Sequence, residues 1–196
     1  MPAPAWPLVT ERLLLRPFTP DDLDALHAIH SDEGVTRWLY NEPRSLEETR
    51  TLLARKTDGA SVRAEGDWLG AAVVLQETGE LVADIAFLWA SESHRQGELG
   101  YIVHPLHQGR GYATEAARPI LAFAFETLGL HRVVGRLEAR NAASARVLEK
   151  LGMRREAHLV ENEWVKGEWS SELVYAILAR EWRDASAGGA GVDRGY

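Results

Sequence analysis

The segment HQGRGYAT, residues 107 to 114, places two glycines and an arginine between an apolar stretch typical of a strand and one typical of a helix. At the start of a helix several backbone N–H groups have no partner and the helix dipole is positive, so an anion is stabilised there. Glycine permits both the tight turn and the close approach of the anion. The segment therefore predicts a site for an anionic group, although a strand-to-helix turn that binds nothing has the same pattern.

Two common phosphate loops do not fit this segment. No Lys-Ser or Lys-Thr pair follows Gly111, which argues against a nucleoside triphosphate loop, and the three-glycine spacing of a dinucleotide site is missing. The chain also contains no cysteine, which excludes disulfides, thiolate metal sites and a cysteine nucleophile. We expect no metal site, and any acyl transfer must proceed without an acyl-cysteine intermediate.

The motif QGRGYA resembles the pyrophosphate loop of the GCN5-related N-acetyltransferase (GNAT) superfamily, with Gln108, Gly111 and Ala113 at its defining positions. Four further segments are similar to the branch that contains the ribosomal-protein N-terminal alanine and serine acetyltransferases. They occur in the family's order between Thr10 and Met153, and they read TERLLLRPF, ELGYIVHP, GYATEA and RNAASARVLEKLGM. The resemblance implies an acetyl-CoA-dependent N-acetyltransferase, with acetyl-CoA as co-substrate and an amine as acceptor.

The resemblance also implies where the cofactor binds. In the family, the strand before the loop and the strand after the following helix are parallel neighbours that separate, and the pantetheine arm inserts between them. Here these strands are residues 98–104 and 131–138, and the arm would bond backbone groups of the first strand as an added strand does. The expected cofactor-binding residues, of which the first three contribute backbone groups, are Ile102, Val103, His104, Gln108, Gly109, Arg110, Gly111, Tyr112, Ala113, Thr114, Asn141 and Ser144.

For the chemistry we expect direct attack of the acceptor amine on the thioester in a ternary complex. A primary amine is mostly protonated at neutral pH, so a base must first take a proton. The resemblance offers two alternatives, Glu98 at the start of a strand and Glu163 on a terminal hairpin, although either carboxylate could equally be an ion-paired or exposed strand residue.

The leaving thiolate needs a hydrogen bond or a proton. Many relatives supply it from a tyrosine seven residues after the asparagine that corresponds to Asn141, but this chain has Leu148 at that position. It keeps Ser144, which matches a serine assigned the acid role in the ribosomal-protein branch, and which could instead bond the backbone of its own helix.

The acceptor is not readable from the sequence. The branch suggests a protein N-terminal amine, and the alternatives are a small-molecule amine (polyamine, amino acid or drug) or a non-catalytic acyl-CoA-binding sensor. Aromatic residues that either wall the acceptor pocket or belong to the core are Trp38, Tyr40, Trp164 and Trp169. Since relatives are often dimers, a homodimer is a further hypothesis.

The elements that must position these groups follow from the periodicity of apolar residues. Only the connection from residues 98–104 through a helix to residues 131–138 demands a parallel strand pair, and the other strands are expected to be antiparallel. The predicted fold class is α/β (α+β), the GNAT fold, with a mixed, mostly antiparallel sheet of six or seven strands and helices on both faces. The predicted strands are 11–18, 68–76, 81–89, 98–104, 131–138, 154–165 and 168–178, and the predicted helices are 19–30, 45–56, 113–125 and 141–151.

Composition limits the possible partners and the domain organisation. The 196 residues include 22 Lys and Arg against 29 Asp and Glu, a formal net charge of -7. This charge disfavours nucleic acid as a partner, and no apolar run is long enough to span a membrane. We expect one acetyltransferase domain over residues 1–183, a disordered tail over 184–196, and a cytoplasmic location.

Overall fold

A computed structural model describes residues 2–189, and its largest element is one sheet of eight strands in the order β1-β2-β3-β4-β5-β6-β8-β7. β5 and β6 are parallel, and the other neighbouring strands are antiparallel. The predicted fold class is therefore confirmed. The additional strand, β1, has two residues, too few to show any alternation in sequence. The strands are β1 Leu8–Val9, β2 Leu13–Arg16, β3 Trp68–Leu75, β4 Leu81–Ser91, β5 Gln96–Val103, β6 Arg132–Glu138, β7 Arg154–Val165 and β8 Glu168–Leu178.

Helices cover both faces of the sheet. On one face α4, α5 and α6 contribute Ile120, Leu148 and Trp182 to the larger core, and on the other face a smaller core contains Leu26 of α1 and Leu53 of α3. The helices are α1 Leu23–His30, α2 Glu33–Thr36, α3 Leu46–Asp58, α4 Tyr112–Ala122, α5 Ala142–Lys150 and α6 Ala179–Gly189. The single turn of α2 was not predicted, because four residues are too short for a helical period.

The parallel pair separates part of the way along its length. The strands pair from Gln96 with Arg132 to Glu98 with Val134, while β5 continues to Val103 and β6 to Glu138. Beyond Glu98 the side of β5 that faces β6 is open, whereas β6 remains paired with β8 throughout. The predicted separation of these two strands is confirmed.

The last two strands form the predicted hairpin with the predicted limits. Lys166 and Gly167 connect them and both have positive φ, 51° and 80°, as in the two-residue turns that match the twist of a hairpin. β7 is an edge strand, and most of its residues are exposed. The hairpin places Glu163 opposite Ser170 of β8.

The C-terminal region differs from the prediction. α6 spans Ala179–Gly189 and so includes residue 184, where the tail was expected to begin, and the centre of the Trp182 ring lies 5.9 Å from that of Phe125. Residues 190–196 lie outside the described part of the chain. Within residues 2–189, no helix combines the length and the apolar content needed to cross a membrane. The cytoplasmic location stays a prediction.

Candidate active site

The glycine turn leads directly into α4. Gly109 and Gly111 have φ of 77° and 84°, a left-handed conformation that other residues adopt at a cost. The first hydrogen bond within α4 runs from the Glu115 N–H to the Gly111 carbonyl, at 3.1 Å. The backbone N–H groups of residues 112–114 therefore precede the first donor of the helix, and they are the groups that can bind an anion.

Arg12 of the loop before β2 holds this turn in place. Its Nη1 donates to the carbonyl of Arg110 at 3.1 Å, its Nε donates to Glu115 at 2.8 Å, and its guanidinium lies 4.7 Å from the ring centre of Tyr112. Burial alone would raise the pKa of Glu115, but hydrogen bonds from Thr10 and Arg12 lower it. Sequence reasoning missed this network, since Arg12 and Glu115 are 103 residues apart.

A cavity of about 380 Å³ lies between the separated part of β5, the glycine turn and α5. Trp38 and Leu39 close it from the opposite side of the sheet. The predicted cofactor-binding residues that line it are Ile102, Val103, Gln108, Gly109, Gly111, Tyr112, Ala113, Thr114, Asn141 and Ser144. One cavity thus joins the anion-binding turn to the gap between the two parallel strands.

Two predicted cofactor contacts need correction. The N–H of His104 donates to Val82 and its carbonyl accepts from His107, both at 2.9 Å, so neither backbone group is free for a ligand. Because backbone groups alternate sides along a strand, those of Ile102 also face β4, while those of Tyr101 and Val103 face the gap. Ile102 reaches the cavity with its side chain.

Arg110 is also placed differently from the prediction. It contributes its carbonyl oxygen to Arg12, and its side chain is not among the groups that line the cavity. A phosphate contact by Arg110 stays a prediction.

His107 lies at the wall of the cavity, next to the turn. It is 7% exposed, and its Nε2 lies 2.9 Å from the Glu80 carboxylate. Its Nδ1 is buried and has no hydrogen-bond partner among residues 2–189. A buried polar atom without a partner is costly. Because Nε2 faces a carboxylate oxygen, it carries the hydrogen of the neutral imidazole, and Nδ1 is then an acceptor.

A second cavity, of about 190 Å³, shares two wall residues with the first, Trp38 and Leu39. It contains both candidate bases, Glu98 and Glu163. The other acidic residues of its wall are Glu138, Glu168 and Glu172, and the basic ones are Arg37, Arg136, Arg140 and Lys166.

Glu98 lies where β5 and β6 begin to separate, at the boundary between their paired and open parts. Burial raises the pKa of Glu98, Arg136 opposes this effect, and the neighbouring Glu172 adds to it. The net result is a raised pKa, which makes this carboxylate a better proton acceptor than an exposed one.

Glu163 enters the second cavity from β7. The pKa of Tyr40, which lines the same cavity, is raised first by burial and then by this carboxylate. Lys166 donates to the carbonyl of Thr36 at 2.6 Å, so the hairpin is tied to the end of α2. Trp164 and Trp169 do not wall either described cavity, because they pack edge to face against each other at 5.3 Å and are 62% and 56% exposed.

Ser144 lies in the first turn of α5 and on the wall of the first cavity. The Asn141 side chain accepts from its N–H at 3.0 Å and so caps α5. Its Oγ lies 2.9 Å from the hydroxyl of Tyr101, a residue that the sequence analysis did not select. Counting alternate residues back from Val103 would have placed Tyr101 beside the gap. Leu148 is buried among core residues and does not line either described cavity.

The open strand pair, the anion-binding turn and the second, acidic cavity define an acyl-CoA-dependent transferase. Residues 12–154 match the family model described as "Acetyltransferase (GNAT) domain", which is more than half of the chain. The chain belongs to the GNAT family. It is an N-acetyltransferase that uses acetyl-CoA as co-substrate.

Three similar proteins illustrate this membership. "Uncharacterized N-acetyltransferase YnaD" of Bacillus subtilis is 33% identical over 175 residues, covering 89% of this chain and 98% of that protein. A GNAT-family acetyltransferase structure from Bacillus anthracis aligns with a TM-score of 0.79 and 32% identity, over 88% of this chain and 98% of its own. Spermidine N(1)-acetyltransferase of Escherichia coli is 24% identical over 169 residues, covering 86% of this chain and 87% of that protein.

Proposed function

We propose that this enzyme acetylates a primary amine that carries a single positive charge, by direct attack of the amine on acetyl-CoA. The observation that carries the proposal is that two cavities share Trp38 and Leu39 as wall residues. One holds the anion-binding turn and Ser144, and the other holds the carboxylates. A thioester in the first cavity and an amine in the second would then be adjacent, as direct transfer requires.

The first cavity fits the cofactor chemically. The N–H groups of residues 112–114 are donors for a diphosphate. The backbone groups of Tyr101 and Val103 that face the gap are partners for the amides of the pantetheine arm, and the Gln108 side chain, which donates to the Val103 carbonyl at 3.2 Å, would give up this bond. The acetyl group would then lie near Glu98, where the strands separate.

We assign Glu98 as the base and Glu163 as the carboxylate that attracts the acceptor ammonium. The raised pKa of Glu98 follows first from burial, and a carboxylate of this kind accepts a proton from an amine more readily. Ser144 donates a hydrogen bond to the sulfur while the carbon–sulfur bond breaks. The opposite assignment, with Glu163 as base, is the alternative.

The charges of the second cavity favour an acceptor with one positive charge. Arg136 pairs with Glu98 and Glu172, and Arg140 pairs with Glu138 and with Glu168 at the cavity wall. Since most of the negative charge is compensated, the additional charges of a polyamine meet arginines as well as carboxylates here and add little attraction beyond that of the first ammonium. The resemblance to the ribosomal-protein branch favours a protein N-terminal amine, and a small-molecule amine is the second candidate.

A comparison of acceptors tests the proposal. Release of CoA from acetyl-CoA is measured with peptides that begin with alanine or serine, and in parallel with spermidine, amino acids and aminoglycosides. We expect turnover on peptides or monoamines that exceeds turnover on spermidine, and a strong loss in Glu98→Gln. Preference for spermidine would contradict the charge argument, and binding of acetyl-CoA without turnover on any amine would indicate a sensor. The homodimer stays a prediction.

A further inference from the structure

We propose that Tyr101 is a positioning residue that fixes the hydroxyl of Ser144 so that its hydrogen faces the sulfur of the cofactor. The inference rests on the proposed function, and it assigns a role to a hydroxyl that the mechanism above does not use.

Tyr101 connects the open strand to the helix on the far side of the cavity. Its hydroxyl lies 2.9 Å from the carbonyl oxygen of Ser144 and 2.9 Å from the Oγ of the same residue. Both residues line the first cavity. Asn141 holds the N–H of Ser144, so the serine backbone is fixed from one side and its side chain from the other.

The number of hydrogens limits what these two hydroxyls can do. Each has one hydrogen and two lone pairs. When Tyr101 donates to Oγ, the hydrogen of Ser144 is free to donate into the cavity. When Tyr101 donates to the carbonyl instead, the Ser144 hydroxyl can donate back to the tyrosine oxygen and offers nothing to the sulfur.

Negative charge on sulfur selects the first arrangement. The serine hydrogen then faces the charge, and a donor behind the serine oxygen strengthens the hydrogen bond that it makes. Burial raises the pKa of Tyr101, and the Ser144 hydrogen bond only partly opposes this. Tyr101 therefore remains a neutral donor, rather than a source of the proton.

The proposed role keeps the reaction balanced. As the carbon–nitrogen bond forms, the electron pair of the carbon–sulfur bond moves to sulfur. The proton of the amine passes to Glu98, and the thiolate, held by the Ser144 hydrogen bond, takes its proton from solvent on release.

The pH dependence of CoA affinity tests this role without any acceptor. Free CoA has a thiol that can ionise, while acetyl-CoA has none and serves as the internal control. If Ser144 and Tyr101 stabilise the thiolate, the bound thiol has a lower pKa than the free one, and CoA binds more tightly as the pH rises from 7 to 9. Calorimetric titrations of both compounds across this range measure the effect.

CoA, but not acetyl-CoA, is expected to bind more tightly as the pH rises from 7 to 9. We expect Tyr101→Phe to reduce this increase in affinity by about three- to tenfold, consistent with the loss of one supporting hydrogen bond. The effect is measured as the ratio of CoA to acetyl-CoA affinity, so a general effect of the variant on binding in this cavity cancels, and circular dichroism shows that the variant is folded. Ser144→Ala should reduce the increase in CoA affinity by at least as much. The double variant should reduce it by no more than Ser144→Ala alone. Tyr175→Phe is a matched control, because its hydroxyl bonds Glu149 and it does not line the cavity.

Each other outcome has a definite meaning. The role of Tyr101 would be overturned if CoA affinity in Tyr101→Phe increased from pH 7 to 9 as much as in the wild type. It would also be overturned if the double variant lost the product of the two single losses. Equal pH dependence of CoA and acetyl-CoA in the wild type would overturn it as well. Failure of the wild type to bind either compound would overturn the proposed function itself, and so would be distinguished from failure of this inference.

Discussion

The Nε of Arg136 lies 3.5 Å from the carboxylate of Glu98, at the point where β5 and β6 separate. The same guanidinium lies 3.0 Å from the buried Glu172. The cation therefore lowers the pKa of Glu98 without cancelling the larger effect of burial. Under the proposed function, this balance sets the pH at which the base becomes available.

Replacing Arg136 should move the acid side of the pH–rate profile. Arg136→Gln removes the cation, so the pKa of Glu98 rises. As the pH is lowered, the variant therefore loses activity at a higher pH than the wild type does. We expect a shift of about one pH unit toward alkaline pH in kcat/KM for the amine. Arg140→Gln is the control, since Arg140 pairs with Glu138 and Glu168 and not with Glu98. Identical profiles for Arg136→Gln and the wild type would remove Glu98 from the role of base.

Gly111→Ala should weaken the binding of acetyl-CoA. A Cβ at this position meets only the Arg12 side chain at 3.5 Å, so the penalty comes from the φ of 84°. A left-handed alanine costs about 1–2 kcal/mol, and relaxation of the turn would misdirect the N–H groups of residues 112–114. We expect about a tenfold rise in Kd by calorimetry.

Gly129→Ala is the matched control for this effect. Its φ is also positive, at 64°, and no atom lies within 4 Å of the added Cβ. It should lower Tm by a similar amount and leave the Kd for acetyl-CoA unchanged. Equal weakening of binding by both variants would show that the turn has no particular role.

Leu148→Tyr should destabilise the protein without increasing turnover. Leu148 is 1% exposed, and its methyl groups lie 2.8 Å from where a Cβ on Gly135 would be. A larger side chain has no room there, and overpacking costs about 1–3 kcal/mol. Urea unfolding measures the loss, with Leu148→Met as the volume-conserving control. A stable and faster Leu148→Tyr would show that this position does reach the thioester.

The ion pair of Glu115 with Arg12 should contribute stability that depends on pH. The pKa of Glu115 is lowered in the folded protein, by hydrogen bonds that overcome burial. Its contribution is therefore present above the ordinary glutamate pKa and is lost as the pH falls through the lowered one. The urea midpoints of wild type and Glu115→Gln should differ at pH 7 and converge below about pH 4. A constant difference across this range would contradict the assignment.

Local patterns predicted a large part of the fold. The limits of β7 and β8 followed from their apolar residues and from Lys166-Gly167, and the helix predicted from residue 45 begins with a capping box of Ser45 and Glu48. Strand separation was expected only from the family resemblance, because no local pattern shows where two strands stop pairing.

The contacts that the sequence did not reveal join distant segments. Arg12 and Glu115, and Tyr101 and Ser144, meet only when the sheet is assembled. His104 was misassigned because its pairing with Val82 depends on which side of β5 faces β4, and alternation fixes this only once the register is known.

A crystal structure of the protein with CoA tests the central claim most directly. It should show the diphosphate within hydrogen-bond distance of the N–H groups of residues 112–114. The pantetheine arm should lie along Tyr101 and Val103, with the sulfur beside Ser144. A diphosphate bound elsewhere, or β5 and β6 paired along their full length with CoA outside them, would contradict the account.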